Sequence, residues 1–344
     1  MPQQNNLYKV IFPALITLLV VALLLSIRYG AVSLSMDEVL SSIQKLFAPT
    51  DEKTLNERIF TEIRLPRALL CVLVGASLAV GGGLMQALFR NPIVEPGLVG
   101  TSSGAAFGAT LYFVLGATLK FNAGQWTLPL AAGLGAVLST SMVFLLSKSS
   151  SNGRSSIVAL LLTGLGVNAL FMSGVGFMSY IARDPQARSI TFWSLGNLSG
   201  ANWESVEIVG VATLVCIIAA MRYAKQLNAL MLGEDEAQLL GVSVKRLKMV
   251  VLLINVIMIA TATAFVGIIG FIGLIVPHIF RILCGSDNRK LIPASALLGA
   301  ILLTLADLLA RMLLSPAELP IGIVTSVVGV PVFIFLLRRK NYLF

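Results

Sequence analysis

The residues suited to recognising a charged partner fall in three places. Three adjacent carboxylates, Glu234, Asp235 and Glu236, interrupt an otherwise apolar second half of the chain. Arg64 and Arg67 stand three apart, as RLPR, at the start of one apolar run, and Asp307 precedes Arg311 by four residues inside another. Their chemistry is charge pairing. Groups for bond-breaking chemistry are missing from the pattern: there is no GxxxxGK[ST] loop to cradle nucleotide phosphates, and no Ser/His/Asp, Cys/His or zinc-ligand spacing. His278 is the one histidine, and Cys71, Cys216 and Cys284 lie singly in apolar runs without CxxC spacing, as small packing residues. The expectation is a chain without catalytic residues, bound metal or a cofactor of its own.

The elements that must position these charges are membrane helices. Of the 344 residues, 57% are hydrophobic and only 12% charged, against about 25% charged in soluble domains. The apolar runs approach the ~20 residues that cross a bilayer core of ~30 Å as a helix, and are too continuous for the alternating strands of a barrel. The net charge of +9 is spread through short loops, which suits topology and argues against nucleic acid. Ten crossings are expected, at about 10–27, 66–89, 98–119, 127–147, 156–181, 206–221, 249–266, 269–284, 291–314 and 320–337. The first is read as a membrane helix, because no small-residue cleavage pattern follows it. A short amphipathic helix is expected at 36–47, and a surface or re-entrant helix around 190–195. With both termini cytoplasmic, most basic loop residues gather inside, although 28–67 then carries basic residues outside. Small residues at Gly75, Ala79, Gly83 and at Gly100, Gly104, Gly108 have the spacing that lets membrane helices touch backbone to backbone.

Four local patterns carry the functional expectations. Residues 222–248 form a polar loop between two apolar halves, read as two short helices with a turn at Gly233 and apolar patches of Leu227, Leu230, Leu239, Leu240 and Val242. Its three carboxylates disfavour an anionic leaflet and favour a soluble protein partner. At 91–109, Pro92 and Pro96 stiffen a turn, Glu95 stands where a helix N-terminus favours an anion, and the hydroxyls of Thr101, Ser102 and Ser103 enter the membrane needing partners. Arg64 and Arg67 oppose the macrodipole at the start of their helix and so call for partners elsewhere. Asp307 must be paired or functional at membrane depth; the four-residue spacing lets Arg311 pair with it, while outward docking of Arg311 is the other reading.

Together these stretches resemble the FecCD-type permease subunits of bacterial ABC importers for iron chelates and cobalamin. The likeness runs in order from RLPRALLCVLVGASLAVGGGLMQALFRNPIVEPGLVGTSSGAAFGA at Arg64 through ITFWSLGNLSGANW at Ile190 and LGEDEAQLLGV at Leu232. It continues with FVGIIGFIGLIVPHIFRIL at Phe265, LIPASALLGAILLTLADLLARMLL at Leu291 and ELPIGIVTSVVGVPVF at Glu318. One departure is Glu95, where many members carry aspartate.

The resemblance implies an all-α polytopic type II importer permease of ten transmembrane helices, in two inverted five-helix halves within one domain spanning 1–344. Helices one to five would lie at about 10–181, helices six to ten at about 206–337, and the cytoplasmic coupling loop at 222–248. It further implies coupling to an ATPase through Leu227, Leu230, Gly233, Glu234, Asp235, Glu236, Gly241 and Val242. Docking of a periplasmic binding protein falls to Arg64, Arg67 and Arg311, and a cytoplasmic gate to Asn91, Pro92, Ile93, Ser155 and Ser156. The implied partners are a second permease subunit in a homodimer, two ATPase chains that hold ATP and Mg, the binding protein and the bilayer of the bacterial inner membrane. The FWSLGNLSG stretch looks most like haem and ferric-siderophore permeases, with cobalamin behind. The competing classes are an ion-gradient-driven transporter, in which Asp307 would titrate, and a membrane assembly or signalling protein.

Overall fold

The computed structural model describes residues 2–30, 32, 34–47, 54–119, 124–147 and 157–338, and among these the regular elements are all helical. They are α1 (Pro2–Arg28), α2 (Met36–Phe47), α3 (Leu55–Arg58), α4 (Leu65–Phe89), α5 (Thr101–Leu119), α6 (Thr127–Leu146) and α7 (Ile157–Ile181), then α8 (Asp184–Ser194), α9 (Trp203–Leu232), α10 (Glu234–Leu239), α11 (Val244–Val266), α12 (Ile272–Cys284), α13 (Asn288–Met312) and α14 (Ile321–Arg338). Seven described helices, α1, α4, α6, α7, α9, α11 and α13, are long and apolar enough to cross a membrane. The other three expected crossings fall on α5, α12 and α14. Of these, α12 has only 13 residues, or about 20 Å at ~1.5 Å per residue, too short for a ~30 Å core.

Helix α4 is the hub. It is apolar on every side and buried over nearly its whole length, as such a helix must be. Its small residues let neighbours approach closely. A Cβ added at Gly82 would lie 1.7 Å from the carbonyl oxygen of Gly273 on α12, and one at Gly75 would lie 2.3 Å from that of Gly299 on α13. The Gly104 and Gly108 faces of α5 meet α6 in the same way, at Gly135 and Ala131. Larger side chains at any of these positions would push the backbones apart.

The bundle has two ends. Trp203 Nε1 donates to Thr61 O at 2.9 Å, so α9 begins beside the start of α4 and ends about 45 Å away, at 30 residues. We call these the arginine end and the elbow end. At the arginine end, α2 lies against α3, fixed by Lys45–Glu57 at 2.6 Å and Asn56 Nδ2 to Glu38 Oε1 at 2.6 Å. A capping box of Thr54 and Glu57 starts α3, and a π-helical turn at Ile59–Arg64 carries the chain directly into α4. The helix expected at 36–47 is present with those bounds. The one expected around 190–195 starts earlier, at Asp184, where Pro185 suits a first turn and Gln186 closes back on Arg183 N at 3.0 Å.

Candidate functional site

At the arginine end, Arg67 on α4 grips two acids. Its Nε and Nη2 donate to Asp307 Oδ1 at 3.1 and 2.8 Å, and its Nη1 donates to both oxygens of Glu318 at 2.9 Å. Arg311 Nε lies 2.9 Å from Asp307 Oδ2, an ion-pair contact rather than an aligned hydrogen bond. Asp307 is thus held between two guanidinium groups and is only 1% exposed. The local pair expected from the four-residue spacing is there, joined by a second arginine 240 positions away. What Arg64 gains at the start of α4 becomes clear from the end of α1, which Arg311 also meets. Arg311 Nη2 donates to Ser26 O at 3.1 Å and Nη1 to Tyr29 O at 3.2 Å, while Arg64 donates to Tyr29 O and, at 2.7 Å, to Val32 O. Arg64, unfavourable at the start of its own helix, and Arg311 sit over the C-terminal carbonyl groups of α1, where a cation is favoured. Arg64, Arg67 and Arg311 are all buried, at 5–8% exposure. Of the two acidic partners of this cluster, Glu318 is the exposed one, its side chain 40% accessible.

The elbow end is built differently. Helix α9 continues well past the expected limit near 221 to Leu232, so the first part of the polar loop is its extension and not a separate short helix. Leu227 and Leu230 face inward there, fully buried among α4 and α11. Gly233 then turns the chain at φ +150°, a conformation open only to glycine at low cost, and α10 begins with the three carboxylates in its first turn. Glu234 pairs with Lys248 at 2.7 Å. Asp235 and Glu236 are exposed, the Glu236 carboxylate folding back over Gly233, Ala237 packs down, and Leu239, Leu240 and Gly241 are exposed, Leu239 by 89%. Val242 is half-buried at the edge of an open pocket of about 480 Å³ that Arg222, Tyr223 and Arg246 also line. The exposed apolar contacts of the elbow are therefore Leu232, Leu239 and Leu240. Leu239 and Leu240 belong to the apolar patches expected from the sequence; Leu232 is the addition, and an apolar residue flanking a glycine bend beside carboxylates is the signal that finds it.

A polar clasp ties the elbow to the α12–α13 corner. Asn228 Nδ2 donates to Asp287 Oδ1 at 2.7 Å, and the backbone and side-chain N–H of Asn288 both donate to Asn228 Oδ1 at 2.8 Å. Arg289 forms a two-pronged pair with Asp287, with Nη2–Oδ2 at 2.7 Å. The Arg289 hydrogen bonds first, and Asn228 after them, pull the Asp287 carboxyl down to about 2.

Between α4 and α5 the chain makes a tight turn at the elbow end. Arg90 takes a left-handed conformation, Asn91 N reaches Gln86 O at 3.1 Å, and Asn91 Oδ1 accepts from Ile93 N at 3.0 Å. Pro92 is half-buried and Ile93 is 49% exposed. Ser155 and Ser156, expected to face this turn, lie outside the described residues. Beyond it a 3-10 turn, Pro96–Val99, leads into α5. Two of the three hydroxyls expected to need partners here have them: Thr101 with Thr140 at 3.1 Å, and Ser103 with Asn168 Oδ1 at 2.5 Å. His278 is buried on α12, and among the described residues no three His, Cys, Asp or Glu side chains group as a metal site. The three cysteines are free and buried.

Comparison with known proteins places this geometry. Residues 18–339 match the FecCD transport family. The chain is 41% identical to the hemin transport system permease protein of Yersinia pestis, over 95% of each chain. It is 38% identical to the cobalamin import system permease protein of Halobacterium salinarum, over 81% of this chain and 73% of that one. Among solved structures, an inward-facing conformation of a metal-chelate type ABC transporter superposes with a TM-score of 0.83 at 34% identity, covering 96% of this chain and 98% of that one.

Proposed function

This chain belongs to the FecCD transport family, and from that premise we propose that it is the permease subunit of an ATP-driven importer carrying an iron chelate, haem or a ferric siderophore. Cobalamin is the alternative cargo within the same family. The carrying observation is the elbow: exposed Leu232, Leu239 and Leu240 beside Asp235 and Glu236, on a rigid helical extension, form a surface that a soluble protein can grip. Two ATPase subunits, which hold ATP and Mg, dock there against Gly233, Glu234, Asp235, Glu236, Gly241 and Val242. Leu227 and Leu230 act from beneath, anchoring the elbow to α4 and α11 so that the push is transmitted and not absorbed. A second copy of the permease completes the pathway, both termini face the cytoplasm, and the membrane is the bacterial inner membrane.

Docking of the periplasmic binding protein at Arg64, Arg67 and Arg311 takes the form of an exchange. All three are engaged internally, so an incoming carboxylate displaces Glu318, the partner nearest solvent, from Arg67 Nη1. Asn91, Pro92 and Ile93 form the cytoplasmic gate with Ser155 and Ser156. The ion-driven alternative would work through an intramembrane ionisable residue, and its candidate, Asp307, is engaged in ion pairs with two arginines. Reconstitution with the ATPase and the loaded binding protein tests the reading: uptake is expected to require ATP and both partners. Uptake driven by an ion gradient without the ATPase would overturn it, and the ligand co-purifying with the binding protein identifies the cargo.

A further inference from the structure

The bundle is broken twice at mid-depth, and the two breaks touch. One is the segment at 94–100 between α4 and α5; the other is 267–271, between α11 and the half-length α12. Each holds a residue that stands immediately before a helical turn. Glu95 precedes the 3-10 turn Pro96–Val99, and Phe271 precedes α12. The two starts have related sequences, EPGLVG at 95–100 and FIGLIV at 271–276, sharing the Gly-Leu pair in the same place. The carboxylate of Glu95 approaches the backbone N–H of Phe271. It lies over Gly270, where an added Cβ would stand 3.6 Å from Oε1.

This contact is reinforced on both sides. Asn255 on α11 donates from Nδ2 to Pro96 O at 2.9 Å, and the Pro96 ring packs against Gly273, whose carbonyl in turn meets Gly82 of α4. Phe271 itself has φ +69°, unusual for a non-glycine residue and sustained only where surroundings fix it. Its N–H is one of the orphan donors at the start of α12, and a carboxylate there satisfies both the donor and the dipole. Four residues earlier in the chain the situation reverses: among the described residues the hydrogen bonds of 91–93 are local turn bonds, and exposure falls from 49% at Ile93 to 2% at Val94.

We infer that Glu95 is the fixed end of the gate turn, a positioning residue that fastens 94–100 to the start of α12 and so confines gating movement to 90–93. This rests on the gate assignment proposed above. Relative motion of the two halves then bends the chain ahead of Val94 and leaves the mid-membrane contact closed. Glutamine keeps an acceptor oxygen at the same reach; alanine removes it.

Single cysteines at I93C and V94C, labelled with a membrane-impermeant maleimide in proteoliposomes of the full-length permease, read this directly. With Glu95 or E95Q, I93C should label and V94C should stay protected. With E95A, labelling at V94C should rise about tenfold, the loss expected for one hydrogen bond to a charged group. Protection of V94C that is the same in E95A and E95Q, or labelling of V94C with Glu95 intact, would overturn the inference. Should E95A not fold, E95M against E95Q gives the same comparison at matched length; failure of both acceptor-free variants beside a folded E95Q would make the contact a folding determinant and overturn the gate role. The labelling needs no ATP, so a failure of ATP-driven import leaves this readout intact.

Discussion

The two ends of the bundle handle charge in opposite ways. At the arginine end, three cations and two anions close on one another and on the last carbonyls of α1, leaving Glu318 as the exposed member. At the elbow end, Asp235 and Glu236 face water beside bare leucines. A closed network holds elements in place, since a buried ion is costly unless paired. Open charge next to exposed apolar surface has its partner elsewhere. The same residue types therefore read as frame at one end and as contact at the other, and burial decides between them.

The sharpest break of that contrast is Asp307→Ala. It strands Arg67 and Arg311 in a buried site, and removing one partner of such a cluster costs about 3–5 kcal/mol. Folded yield and thermal unfolding in detergent should both collapse; a near-normal melting temperature would mean the network is not the frame described. Next comes a matched pair at the elbow. Leu227→Ala should cost about 2–5 kcal/mol by leaving a cavity, whereas Leu239→Ser, at an exposed site, should stay within about 0.5 kcal/mol. Measured as ATP turnover against cargo uptake, Leu239→Ser is expected to uncouple the two while leaving the fold intact. Unaltered coupling would remove Leu239 from the contact surface.

Glu318→Gln sharpens the comparison from the other side. Its pair with Arg67 is partly exposed, so the stability change should be below about 1 kcal/mol. Freed of that competitor, Arg67 should bind the loaded binding protein more tightly, measured as affinity for the permease in nanodiscs. An unchanged affinity would remove the exchange from the docking proposal.

How much of this was legible in the sequence follows from the range of each interaction. Local patterns read well: the amphipathic helix at 36–47, the bend at Gly233, and Asp307 with Arg311 four residues apart, all set within a turn or two of chain. Contacts across the bundle did not. Nothing near Arg67 signals Asp307 on α13, and nothing near Arg64 signals the carbonyl of Tyr29, because main-chain acceptors carry no residue type. Leu227 and Leu230 read as loop residues in the sequence because the polar run begins at Arg222. Only the packing of α9 against α4 and α11 shows that the helix runs on and turns them inward. Hydropathy marks where a helix leaves lipid, and says little about where it stops.

The smallest effect is expected at the clasp between the elbow and the α12–α13 corner. The Asp287 carboxyl sits at about 2 against an ordinary 3.8, held down by Arg289 first and by Asn228. A depressed acid contributes stability that is fully present above its unfolded value and disappears as pH falls through the folded one. Melting temperature should therefore fall as pH drops from about 4 toward 2 more steeply in the wild type than in D287N, and the difference should be modest because Asp287 is partly open to water. Asn228→Ala removes one of the two supports, so its acid-side loss should lie between those two. Identical profiles for wild type and D287N would mean that the corner holds the elbow through Asn288 and Asn228 alone, with the carboxylate idle.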